Sequence, residues 1–138
     1  MSELTERGLK LFSEIRDQDR AATMRARLER EEFGSALSRL ATDFVFGSVW
    51  AREGLERKQR SLVTIAVLIA LGRTEELKNH VRIGLKNGLT ITEIEEAILQ
   101  TAAYAGFPAA WSASNAATDV LQDLELVPKP VPEKRPQV

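Results

Sequence analysis

Apolar residues recur along this chain at the spacing of a helix face. Leu4, Leu9, Leu11, Phe12 and Ile15 predict an amphipathic helix over residues 3–17. Residues 17–30 are densely charged, with Leu28 and Met24 the only large aliphatic side chains, and read as a connector or a solvated helix start. The 3.6-residue period returns with Leu37, Leu40, Ala41, Phe44 and Val45, which predict a second helix over 31–50. Gly54 and its charged neighbours mark a turn. A third helix is expected from Glu56 to Leu71, apolar all round in its second half and therefore placed at the buried centre of the fold.

End signals delimit the rest. Gly72 suits the left-handed residue after a helix. Thr74, followed by Glu75 and Glu76, suits the cap and first turn of a fourth helix that ends near Asn87 and Gly88. Thr90-Ile91-Thr92-Glu93 is a capping box opening a fifth. Tyr104 to Pro108 breaks that helix, and Pro108 starts a sixth that runs to about Leu124. No alternating strand pattern, hairpin signal or repeat is visible. The expectation is an all-α fold of about six helices, with a single domain over 1–126. Pro128, Pro130, Pro132 and Pro136 make residues 127–138 a non-helical tail, either disordered or an arm lying on a neighbouring subunit.

Composition narrows the chemistry. The chain has no cysteine and one histidine, which excludes thiol redox, zinc–thiolate and iron–sulfur centres and any histidine-rich metal site. A net charge of -1 gives no bias toward nucleic acid or anionic lipid. The charged start MSELTERGLK lacks the apolar core of a secretory leader. The longest apolar run, Leu62–Leu71, is too short for a bilayer, which takes about 20 residues. A cytoplasmic protein is expected, with no membrane or nucleic-acid partner.

His80 is the leading chemical candidate. It lies at the edge of the stripe Leu77, Val81, Gly84 and Leu85, where an imidazole can exchange a proton near neutral pH. Glu76, one turn earlier, is placed to orient it. The bland alternative is a half-buried histidine satisfied by a carbonyl. Arg60 and Arg73 bracket the apolar helix as candidate carboxylate clamps, against the alternative of solvated helix ends. Trp50, Trp111 and Tyr104 are candidate pocket walls, or core and subunit contacts.

Between Trp50 and Ala117 these residues fall in a longer pattern: Trp50-x-x-x-Gly54-Leu55, Arg60 to Ala66, Leu71-Gly72-Arg73, Glu76-Leu77-x-x-His80, Asn87-Gly88-x-Thr90, Glu93-Ile94-x-Glu96 and Tyr104-Ala105-Gly106-x-Pro108-Ala109. The pattern resembles the carboxymuconolactone decarboxylase family. The resemblance implies an alkylhydroperoxidase D-like helical bundle that assembles as a homotrimer or homohexamer. In the peroxidase branch of that fold two cysteines precede the histidine; here those positions are Arg73 and Glu76, and the branch's earlier glutamate is Ser61. Thiol peroxidase chemistry is excluded.

The chain is instead similar to the cysteine-free gamma-carboxymuconolactone decarboxylase branch, which needs no cofactor. The resemblance implies an unsaturated lactone carboxylate as substrate, in the catabolism of aromatic compounds. It makes His80 the acid or oxyanion donor, Glu76 its partner, Arg60 and Arg73 the carboxylate holders, and Trp50 and Tyr104 the groups that exclude water. The N-terminal segment departs from the branch: Phe12 stands where an arginine is usual, and Arg20-Ala21 where a His-Val pair is usual. A paralogous lyase or isomerase doing enolate chemistry on another metabolite, and a non-catalytic oligomeric binding protein, are the alternative readings.

Overall fold

A computed structural model describes residues 1–131. The elements are α1 (Glu3–Ile15), α2 (Gln18–Arg30), α3 (Ser35–Leu40) continuing into a π-helical segment (Ala41–Trp50), α4 (Arg57–Leu71), α5 (Thr74–Lys86), α6 (Ile91–Ala105) and α7 (Phe107–Asp123). The described residues form no strand, so the fold is all-α. The expected number of helices was about six. The difference is α2, which occupies the stretch that reads as a connector. Its charge hides it, because only Ala21 and Leu28 are buried; Asp17 starts it by accepting the Arg20 amide at 2.7 Å.

The end signals hold to within a residue. Gly72 and Gly88 both take positive φ, 69° and 100°. Thr90 and Glu93 form the reciprocal capping box, each bond 3.0 Å long. Arg73 rather than Thr74 is the N-cap of α5, and α7 begins at Phe107, one residue before Pro108.

Two apolar clusters result. The larger joins α4 to α7 through Ile65, Ile69, Leu77, Val81, Ile94, Ala113 and Val120. The smaller joins Leu11 and Ile15 of α1, Trp50 and Ile83 of α5. The α4 helix is not buried on all sides as its composition suggests. Ser61, Ile65 and Ile69 face the core, while Val63, Val67 and Leu71 on the opposite side are exposed.

Helix α1 lies against the π-helical segment, and the contact is close. A Cβ on Gly8 would collide with the Thr42 carbonyl, and one on Gly47 would lie 2.8 Å from the Leu4 carbonyl oxygen. The Thr5 hydroxyl, itself buried, donates to Asp43 Oδ1 at 2.7 Å across the same contact. Ser48 Oγ reaches back five residues to the Asp43 carbonyl at 3.2 Å, the spacing of a π turn. This packing delivers Trp50, at the end of the segment, to the face of α5.

Candidate active site

The inward stripe of α5 divides between the two clusters. Leu77, Val81 and Gly84 face the α4–α7 core, whereas Ile83 meets α1 and Trp50. His80 sits one turn before Ile83 and stacks on Trp50, with ring centroids 6.2 Å apart and planes 24° from parallel. Its Nδ1 is buried and has no hydrogen-bond partner. Burial, and after it the positive charge of Arg16, push the imidazole pKa down to about 4. His80 is therefore neutral at pH 7, a half-buried imidazole whose Nδ1 is free of any structural bond.

The other sequence candidates stand apart from His80 within one chain. Glu76 is exposed one turn away on α5, and no hydrogen bond links it to Nδ1. Arg60 donates to the Leu55 carbonyl at 3.1 Å and the Arg52 carbonyl at 3.0 Å, tying down the turn before α4. Arg73 is exposed at the start of α5. Tyr104 is 87% exposed near the end of α6. Of the proposed companions, the structure brings only Trp50 to the histidine.

It also brings a residue that the sequence reading left out. Arg16 ends α1, and its Nη1 donates to the Asn79 carbonyl, next to His80, at 3.3 Å. The Lys86 ammonium donates to the carbonyl of Arg16. Phe12, where the resemblance expects an arginine, packs on Phe46 with centroids 5.1 Å apart. Arg16 is one helical turn further on, which puts a cation at the same end of α1. The signal was present as that i, i+4 relation, but position 16 lies at the end of the predicted helix over 3–17, outside its apolar stripe.

Ser61, which stands at the peroxidase branch's glutamate position, is fully buried and accepts a 2.9 Å hydrogen bond from Asn87 Nδ2. It stitches α4 to the end of α5. Among the described residues no group of three or more His, Asp or Glu side chains is arranged to hold a metal ion. None of the helices there is long and apolar enough to cross a membrane.

Comparison with known proteins places this geometry in context. The profile of the carboxymuconolactone decarboxylase family matches residues 35–119. A 4-carboxymuconolactone decarboxylase from Acinetobacter baylyi is 45% identical over 100 residues, covering 72% of this chain and 75% of the relative. A nitrosuccinic acid decarboxylase from Metarhizium robertsii is 40% identical over 85 residues, 62% of this chain and 59% of the relative. An uncharacterised 15.0 kDa protein from Paracoccus denitrificans is 39% identical over 77 residues, 54% of this chain and 58% of the relative. Trp50 and His80 both lie inside the family match; Arg16 lies before it.

Proposed function

This chain belongs to the carboxymuconolactone decarboxylase family and is a decarboxylase of that family, and on that footing we propose that it removes carbon dioxide from a small unsaturated lactone carboxylate of the 4-carboxymuconolactone kind, without a cofactor. The observation that carries the proposal is the half-buried, neutral His80 stacked on Trp50 with a buried, unpaired Nδ1.

Loss of carbon dioxide breaks one carbon–carbon bond, and its electron pair passes into the conjugated lactone carbonyl. The dienolate that forms needs stabilisation at oxygen and a proton at carbon. An anionic substrate arriving beside His80 favours the charged imidazole, so proton uptake accompanies binding. The imidazolium then stabilises the oxyanion and gives up its proton to carbon, which returns the ring to its neutral resting state. Trp50 keeps water from the imidazole face, which strengthens each of these interactions.

We propose further that the site is completed in a homotrimer or homohexamer. Val63, Val67 and Leu71 on α4, and Leu99, Tyr104, Phe107 and Trp111 at the α6–α7 corner, are large apolar side chains left exposed in the single chain. A neighbouring copy covering them would bury Tyr104 and bring a second set of cations, Arg73 among them, toward a site between subunits. The 127–138 tail, read as a candidate arm, lies outside the described residues from 132 onward.

The test is carbon dioxide release by purified protein of measured oligomeric mass, with 4-carboxymuconolactone and nitrosuccinate offered separately. Turnover of the lactone is expected. Turnover of nitrosuccinate alone would keep decarboxylation and remove the lactone assignment. A folded oligomer inert toward both would contradict the proposed substrate class.

A further inference from the structure

Where α1 meets α2, the chain carries more positive charge than its own carboxylates cover. Arg16, Arg20, Arg82 and Lys86 share one pocket of about 170 Å³ against α5. Arg20 is engaged by Asp17 at 2.6 Å. Arg82 reaches Asp123 at 3.3 Å. Arg16 has no carboxylate ion pair among the described residues; its guanidinium donates to the Asn79 carbonyl, and Asp17 beside it is already engaged by Arg20. Arg16 is also half-buried. Its pKa is lowered by that burial first and by the charge of Arg20 next. A partly desolvated guanidinium crowded by other cations is unfavourable in the empty protein, and a bound anion relieves it.

Resting on the decarboxylase reading, we propose that this pocket is a carboxylate subsite of the active centre. Arg16, flanked by Arg82 and Lys86, holds a carboxylate that the substrate keeps throughout the reaction. A dicarboxylate such as 4-carboxymuconolactone would rest its retained group on these cations and lose the other beside His80. The planar fork of Arg16 suits a two-point grip on a carboxylate. The small pocket suits a short carboxylate-bearing arm and no bulky group. Because Arg16 and Arg20 precede the stretch that matches the family profile, the subsite is a feature in which this chain can differ from its relatives in substrate choice.

Succinate is a suitable probe, since it carries two carboxylates and does not decarboxylate. The chain has one histidine, so its imidazole signals in NMR are assigned without ambiguity. Succinate titrated at constant ionic strength into the wild-type oligomer should shift them saturably. Arg16→Gln should weaken that binding by about tenfold or more, the worth of a charge-assisted bidentate contact. Arg82→Gln should weaken it too, and it serves if Arg16→Gln does not fold. A shift that sodium chloride reproduces, no saturation, or unchanged binding in the folded variants would overturn the subsite. Succinate binding in a protein inert toward the lactone would keep the subsite and remove the lactone reading. Lactone turnover with an unchanged KM in Arg16→Gln would do the reverse.

Discussion

A His80→Gln variant is expected to lose decarboxylation by about a hundredfold or more in kcat/KM while remaining folded. Glutamine keeps a hydrogen-bond donor near the position of the imidazole, so part of the oxyanion stabilisation survives. It cannot carry a proton at any working pH, and a positioned acid or base contributes about 10²- to 10⁴-fold. A hundredfold loss corresponds to about 2.7 kcal/mol of transition-state stabilisation. The fold should tolerate the change, because Nδ1 makes no hydrogen bond that the variant would break. Initial rates of carbon dioxide release at substrate concentrations below KM measure the effect. A loss of less than about tenfold would place the proton donor elsewhere, and the exposed Glu76 would be the next residue to test.

The second large effect is on stability. Between pH 7 and pH 4, His80 alone is expected to withdraw up to about 3 kcal/mol of folding free energy. Its pKa is about 4 in the folded chain against an ordinary value of 6.5. Between those values the unfolded state binds the extra proton and the folded state does not. Stability therefore falls as pH drops through 6.5 and stops falling on this account below about 4. Partial exposure of the ring makes the figure an upper bound. Glu6, Asp17 and Glu93 have lowered pKa values through their bonds to Arg25, to Arg20, and to Thr90 and Lys58. Their contribution is present above the unfolded carboxylate range and disappears as pH falls through their own values, further to the acid side. Urea unfolding of wild type and His80→Gln across this range separates the two. The wild type should lose more stability than the variant between pH 6.5 and 4. Parallel curves would mean that the ring is solvated.

What could be read from the sequence divides along physical lines. Helix ends were legible because they depend on local chemistry: the Thr90–Glu93 box needs four residues, and Gly72 and Gly88 need only a left-handed backbone. Helix α2 was half-legible, since two buried residues, Ala21 and Leu28, suffice to hold it against the bundle but leave almost no apolar stripe. The π-helical winding from Ala41 was not legible at all. It coincides with the close approach of α1 at Gly8 and Gly47, a contact between segments far apart in the chain.

The site follows the same division. His80 and Trp50 were nominated by residue type and pattern, and the fold stacks them. Arg60 was chosen for its position beside the apolar helix, but its guanidinium is occupied by the carbonyls of Leu55 and Arg52. Arg16 was passed over because it falls outside the apolar stripe of the predicted first helix, and only the packing of α1 on α5 shows it half-buried beside the histidine. On α4 the apolar residues opposite the core read as burial. In the single chain they are surface, and in the proposed oligomer they are interface.

Decarboxylation as proposed starts from a neutral, half-buried imidazole in the resting protein, and NMR titration of His80 in the ligand-free oligomer tests that state most directly. A midpoint near 4, with the neutral ring present at pH 7, is the predicted result. A midpoint at 6.5 or above would show an imidazole fully in contact with water or paired with a carboxylate, and would contradict the shielded site on Trp50 from which the mechanism starts.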